Sequence, residues 1–115
     1  MQIEEDDFVR ECRCFNPPFD FADFDSHSLG TTADHAEISI KMCKNCGTKW
    51  LHYFYENEAF TKSGRWYRGL ISDQEIVRLL PDKAVSHLEN LKWYVYGGSY
   101  FETTGRYGSG KIRKG

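Results

Sequence analysis

The sequence predicts an α+β domain in which a small antiparallel sheet packs with one principal helix and is tied together by four cysteines. Strand-favouring residues are concentrated between residues 35 and 71, and an apolar stripe at helical spacing follows Pro81. Two cysteine pairs precede and interrupt the strand-rich stretch. A chain of 115 residues buries one hydrophobic core rather than two, so we expect a single domain that gains from an added staple.

The segment before the first predicted strand, residues 15–34, is expected to be a long loop. It contains Pro17, Pro18 and Gly30 together with many Asp and Ser residues, which favour turns over periodic structure. A loop of this length in a small domain is usually functional or mobile.

Residues 35–71 predict the sheet. Ile38 and Ile40 alternate with polar neighbours over residues 35–42, which is the period of a half-buried strand. An aromatic run at residues 50–55 and the segment 65–71 are separated by turn-forming residues 61–64. Together they predict an antiparallel hairpin.

The second half of the chain predicts the helix and the end of the sheet. Ser72 and Glu75 have capping-box spacing, and the principal helix is predicted over residues 82–91, after Pro81. A strand at residues 93–96, a turn at 97–98 and a return at 100–101 complete a domain of residues 1–103. The glycine-rich basic residues 104–115 predict a mobile tail.

Charge is distributed unevenly. Residues 1–40 carry ten acidic residues against two arginines, a balance of −8, and the other 75 residues carry 13 Lys and Arg against 7 Asp and Glu, a balance of +6. The chain has no apolar run of about 20 residues, and its N-terminus is acidic, unlike a signal peptide. We therefore expect a cytoplasmic protein with no membrane contact, where paired cysteines usually bind metal.

The cysteines predict a closed metal site. Cys43 and Cys46 follow one predicted strand and precede the next, with Gly47 just after them, and this segment resembles the knuckle of a zinc ribbon. The resemblance implies a structural Zn²⁺ held by two such pairs. The other pair, Cys12 and Cys14, departs from that pattern because only one residue lies between them. Four thiolates suit tetrahedral zinc and leave no open position for a substrate.

Other interpretations of this site remain open at the level of sequence. Tetrahedral sulfur also suits iron, and free or redox-active thiols are a further alternative. A mixed site would recruit a histidine, and His27 in the predicted loop or His35 just after it could replace a cysteine ligand more readily than His52 or His87.

The function that we expect is protein binding. The segment 19–25 offers phenylalanines surrounded by negative charge, a pattern suited to an unidentified protein with a basic surface. An immunity-type inhibitor of a cationic toxin or nuclease is a special case by analogy. The competing interpretation is a loop whose phenylalanines pack onto the core. The candidate contact residues are Phe19, Asp20, Phe21, Asp23, Phe24 and Asp25.

Binding of single-stranded nucleic acid is the alternative function. Aromatic and basic residues interleave on the predicted hairpin, so rings are available for bases and cations for phosphates. A sequence pI of about 6.1 argues against it, and an aromatic core with solvated cations is the competing interpretation. The candidates are Lys49, Tyr53, Tyr55, Lys62, Arg65, Trp66 and Arg68.

An enzymatic function is not expected. The sequence has no phosphate-binding glycine loop, no nucleophile elbow and no histidine pair at helix spacing beside a glutamate. A metal that is fully coordinated by thiolates does not activate water.

Overall fold

The computed structural model describes residues 12–16, 19–57 and 59–112. Its sheet has six strands in sequence order, each antiparallel to the next. This architecture confirms the predicted α+β class with an antiparallel sheet. The strands are β1 (Phe24–Thr31), β2 (Glu37–Cys43), β3 (Lys49–Tyr55), β4 (Arg65–Leu70), β5 (Tyr94–Gly98) and β6 (Thr103–Gly108).

The helical part of the chain connects β4 to β5. Helix α1 (Asp73–Arg78) begins with the predicted capping box, in which Ser72 accepts from the Glu75 N–H and the Glu75 carboxylate accepts from the Ser72 N–H. The predicted helix at 82–91 is a 3₁₀ turn (Pro81–Lys83) that continues into α2 (Ala84–Glu89), the principal helix against the sheet. Among the described residues, no helix is long and apolar enough to cross a lipid bilayer.

The two faces of the sheet bury different sets of residues, because side chains alternate along each strand. The helical face carries aliphatic and tyrosine side chains that pack with Ala84 and Leu88 of α2, namely Ile38, Ile40, Leu51, Tyr53, Tyr67 and Tyr94. The opposite face, called here the cysteine face, carries Phe24, Cys43, Trp50 and Val95. Cys14 and Phe15 cover it and belong to the residues before β1, called here the N-terminal segment.

Three sequence predictions need correction. Residues 15–34 are not all loop, because β1 pairs with β2 from Phe24 to Thr31. The turn after β5 is not at residues 97–98 but in the 3₁₀ turn Ser99–Phe101 and Glu102, where a left-handed residue redirects the chain. Strand β6 therefore returns at Thr103–Gly108 rather than at residues 100–101.

The predicted domain boundary between residues 103 and 104 falls inside β6. After that strand, Ile112 is buried in the core of the helical face, and the Tyr94 hydroxyl donates to the Gly110 and Lys111 carbonyls. Residues 1–11 of the predicted domain and residues 113–115 of the predicted tail lie outside the described residues. The mobility of the tail stays a prediction.

Candidate metal centre

Two of the cysteines stand on the turn that joins β2 to β3. Cys43 ends β2, and its N–H donates to the Thr48 carbonyl at 2.9 Å, while the Gly47 N–H donates to the Cys43 carbonyl at 2.9 Å. Gly47 has a φ of +78°, which a side chain would oppose even though nothing would crowd it. The turn therefore brings the thiols of Cys43 and Cys46 to the same side.

The other two cysteines stand on a short 3₁₀ turn, Arg13–Phe15. The Phe15 N–H donates to the Cys12 carbonyl at 3.0 Å and closes this turn. The Phe15 ring packs edge-on against Trp50, with centroids 4.8 Å apart, and the Phe15 carbonyl accepts from the Tyr107 hydroxyl. These contacts hold the N-terminal corner above the start of β3.

The four cysteines form one group, called here the cysteine cluster. Their Sγ atoms all lie within 4.8 Å of one another. Cys12 Sγ is 3.6 Å from Cys43 Sγ, and Cys14 Sγ is 3.6 Å from Cys46 Sγ, so each pair joins the two corners. A disulfide needs about 2.05 Å between sulfurs, and all four residues are free thiols. The cluster is thus positioned to bind a metal ion.

The electrostatic surroundings of the cluster favour thiolates at particular positions. Burial raises the pKa of Cys14 and also opposes ionisation of Cys46. Hydrogen bonds of Cys46 with the hydroxyl and N–H of Thr48, followed by those with Cys14 and Cys12, outweigh this and lower the pKa of Cys46 to about 7. The Asn45 N–H donates to Cys43 Sγ at 3.4 Å. Backbone and hydroxyl donors of the β2–β3 turn therefore stabilise negative sulfur.

Trp50 completes these surroundings. Its indole N–H is buried without a hydrogen-bond partner among the described residues, and its position near Cys14 lowers the pKa of this thiol. A metal-bound thiolate at Cys14 would satisfy this donor.

The size of the cluster also fits a metal ion. Four sulfurs about 2.3 Å from a tetrahedral zinc lie about 3.8 Å from one another, close to the two distances of 3.6 Å. Within the described ranges the cluster contains cysteines alone. His27 lies on β1 and His35 in the turn after it, both exposed, so neither replaces a cysteine in this group.

Comparisons with known proteins add nothing to this geometry. No protein-family model, no curated protein and no solved structure matches the chain significantly. The likeness to a zinc ribbon is therefore confined to the four cysteines and the turn that carries two of them.

The acidic segment 19–25 is divided between the interior and the surface. Phe19 and Phe24 pack onto the cysteine face, and Asp23 is buried and forms an ion pair with Arg13. Asp20 and Asp25 are exposed. Phe21 is 86% exposed, the largest value among the exposed large hydrophobic side chains.

The structure divides the nucleic-acid candidates between the two faces of the sheet. Tyr53 is fully buried in the core of the helical face, which Tyr55 joins at its edge. Lys49 forms an ion pair with Asp73, and Arg65 is buried against Tyr55 and Tyr100. Lys62 is exposed in the β3–β4 loop. Only Trp66 and Arg68 share the cysteine face, where each contacts Phe19.

Sequence reasoning missed the residues that support these groups. Thr48 and Trp50 contact the cysteines, and Lys41 and His52 lie on the cysteine face beside Arg68. The alternation of Ile38 and Ile40 with Ser39 and Lys41 held the necessary signal. Extending it to β3 and β4 places Lys41, His52 and Arg68 on the face opposite the isoleucines.

Proposed function

We propose that this protein is a non-catalytic protein-binding module whose fold depends on a structural zinc ion in the cysteine cluster. The observation that carries the proposal is the convergence of four thiols from two distant corners of the chain. Such a ligand set is complete without water or substrate, which is the property of structural rather than catalytic zinc sites.

A bound zinc ion would supply the positive charge that keeps all four sulfurs deprotonated. The chain's own residues supply the rest. Thr48, Asn45 and Trp50 direct donors toward the sulfurs, and the contacts of Phe15 with Trp50 and Tyr107 hold the N-terminal corner in place. Metal binding would therefore fasten the N-terminal segment across the cysteine face.

The proposed contact surface consists of Asp20, Phe21 and Asp25. The side chain of Asp20 accepts from the Ala22 N–H at 2.9 Å, and the Lys44 N–H donates to the Asp23 carbonyl at 2.8 Å. These bonds and the Arg13–Asp23 ion pair fix the turn that presents Phe21. An exposed ring between carboxylates on a hydrogen-bonded turn suits a basic protein surface, because the backbone of the turn is already ordered before binding. An immunity-type inhibitor of a cationic protein fits this description by analogy.

Metal analysis tests the zinc part. The full chain, purified without a chelating column from medium holding both zinc and iron, is expected to carry about one zinc per chain. Co²⁺ substitution should give the visible absorption of a tetrahedral thiolate complex. Iron at the same stoichiometry would replace zinc in the proposal. A folded protein without metal would contradict it.

Capture experiments test the binding part. The Phe21→Ser, Asp20→Lys, Asp25→Lys triple variant is expected to lose a protein that the natural chain captures. Its stability should fall by about 1 kcal/mol, because the Asp20 cap is lost while exposed charges contribute little to folding. Phe60→Ser is the matched control, since Phe60 is a 68% exposed phenylalanine outside this surface. Equal capture by the triple variant and the natural chain would remove this surface from the proposal.

Nucleic acid remains the alternative partner. It would use Trp66 and Arg68 on the cysteine face, because Tyr53 is enclosed in the other core. A single-stranded oligonucleotide that binds with a steep salt dependence, and no longer binds Trp66→Leu, would favour this alternative if no protein partner depends on Phe21.

A further inference from the structure

A cleft of about 820 Å³ lies on the cysteine face beside the metal centre. Strands β2 to β4 form its floor with Lys41, His52, Trp66 and Arg68, and Phe19 and Phe21 of the N-terminal segment form a wall. The corner between β5 and β6 closes the other side. Clefts of about 300–1,000 Å³ accommodate small organic ligands, so the space matches a small molecule rather than a water site.

Arg68 is the central polar group of this cleft. It is only 5% exposed, and its guanidinium carbon lies 4.8 Å from the Phe19 ring, 4.7 Å from the Phe24 ring and 4.8 Å from the Trp66 ring. Among the described residues no carboxylate pairs with it, and its Nε is buried without an acceptor. Ring faces compensate part of a buried charge but do not accept its N–H bonds in full.

A second cation lies on the same floor. Lys41 is half-buried and donates to Ser26 Oγ at 2.9 Å. Lys41 and Arg68 therefore place two positive charges on the floor of one cleft. These like charges repel each other. The charge of Cys14 offsets part of the charge of Arg68, and an anion between Arg68 and Lys41 would relieve the remaining repulsion.

His52 does not provide this compensation. It lies directly across from Arg68 in the β3–β4 pair and stacks on Trp66, with ring centroids 6.0 Å apart. Burial, followed by the charges of Arg68 and Lys41, lowers the pKa of His52 well below its usual range, so the ring is neutral. The single carboxylate in the described lining, Glu102, is exposed.

We propose that this cleft binds a small aromatic oxyanion, with its carboxylate or phosphate on Arg68 and Lys41 and its flat ring against Phe19 and Trp66. The guanidinium offers paired donors that match either group, and the edge-to-face packing of Phe19 on Trp66 leaves a corner of ring surfaces for the apolar part. Although Phe21 belongs to the wall of the cleft, the proposed contacts with the anion are made by Arg68, Lys41, Phe19 and Trp66, so the proposal can be tested apart from the protein contact through Phe21.

Calorimetric titration of the full, metal-loaded chain tests it. The charged probes are benzoate and phenyl phosphate, the neutral probe is benzyl alcohol, and inorganic phosphate is the probe without a ring. At least one aromatic anion is expected to bind about tenfold more tightly than benzyl alcohol and than inorganic phosphate. The stronger of the two anions assigns the cleft to carboxylate or phosphate. The Trp66 indole resonance should shift on the same titration.

Two matched pairs of variants locate the site. Lys41→Gln is expected to weaken the preferred anion about tenfold, whereas Lys62→Gln, an exposed lysine outside the cleft, should leave it unchanged. Arg68→Lys keeps the charge and removes the paired donors, and Arg65→Lys is its control because Arg65 is also buried against aromatic rings in β4 but does not line this cleft. Thermal melts identify any variant that fails to fold. If Arg68→Lys does not fold, the anion affinity of Lys41→Gln alone tests the site.

The proposal would be overturned by benzyl alcohol binding as tightly as both anions, or by an affinity for anions that Lys41→Gln leaves unchanged. Absence of any shift at the Trp66 indole would have the same meaning. None of these results bears on zinc content or on capture through Phe21, so the two proposals fail separately.

Discussion

The two faces of the sheet are closed by different means. On the helical face, α2 places Ala84 and Leu88 against a continuous core of aliphatic and tyrosine side chains, and Leu88 is 0% exposed. On the cysteine face, the described residues before Phe24 form two 3₁₀ turns, and they are held by the cysteine cluster, the Arg13–Asp23 ion pair and the packing of Phe15 on Trp50. The helical face is stabilised by apolar burial over many residues, whereas the N-terminal segment on the cysteine face is held by a few specific contacts.

Substitutions on the two faces should therefore have different consequences for stability and for metal binding. Loss of one apolar side chain removes part of a large sum, so the fold is weakened but its metal remains bound. Loss of one metal ligand removes an anchor on which the whole segment depends. The predictions below separate these two outcomes, beginning with the largest expected effect.

Cys43→Ser should have the largest effect. Cys43 is buried at the end of β2 and contacts both corners of the cysteine cluster. We expect loss of the bound metal and a loss of several kcal/mol of stability, since structural zinc supplies about 10–16 kcal/mol of binding free energy in small sites. Circular dichroism melts with metal analysis check this. The natural chain treated with a chelator should melt like the variant, and an unchanged melting temperature without metal would count against the comparison.

Leu88→Ala should weaken the helical face and leave the metal in place. The side chain is fully buried against Gly69, where an added Cβ would meet it at 2.7 Å, so truncation leaves a cavity. We expect a loss of about 2–5 kcal/mol in denaturant unfolding at full metal content. Val77→Ala, at an 82% exposed position of α1, should change little. Metal loss in folded Leu88→Ala protein would show that the faces are not separate.

Ser72→Ala tests the start of α1. The variant loses the hydroxyl that accepts from the Glu75 N–H, and we expect a loss of about 1 kcal/mol by denaturant unfolding. The hydrogen bond from the Ser72 N–H lowers the pKa of Glu75. The stabilisation that the ionised Glu75 carboxylate gives to the fold is therefore fully present above the ordinary pKa of a glutamate, and it is lost as the pH falls through the lowered pKa of Glu75. Ser86→Ala, at an exposed position within α2, is the control.

Asp23→Asn should have the smallest effect on stability. Its partner Arg13 is exposed, so we expect a loss of about 1 kcal/mol or less in unfolding experiments. Release of metal to a chelator should nevertheless become faster, because the pair joins the turn of Cys12 and Cys14 to the start of β1. Release rates equal to those of Asp82→Asn, a substitution at an acidic residue of the Pro81–Lys83 turn, would remove the ion pair from the list of anchors.

Much of the helical face could be predicted from sequence, because its signals are local. The period of Ile38 and Ile40, the capping box at Ser72 and the stripe of Ala84 and Leu88 each depend on near neighbours, and the structure confirms each of them. The pairing of the two cysteine corners followed from the chemistry of thiols and the small number of cysteines.

Strands β1 and β6 could not be predicted in this way. The Asp, Ser, His and Gly residues of β1 have turn preferences, and its strand conformation comes from pairing with β2. Glycine-rich β6 likewise depends on β5. Strand pairing also explains why the nucleic-acid candidates lie on two different faces of the sheet. It turns Tyr53 toward the helices and Trp66 toward the cleft. Long-range partners therefore determine what local composition leaves open.

The segment that carries Cys12 and Cys14 also carries Phe19 and Phe21, which wall the cleft. Metal affinity and ligand affinity would then be linked through one ordering event. If a bound metal raises the affinity for the anion by some factor, because it holds the phenylalanines in place, then a bound anion raises the affinity for the metal by the same factor. Metal exchange measured with and without benzoate or phenyl phosphate would thus report occupancy of a cleft that contains none of the metal's ligands.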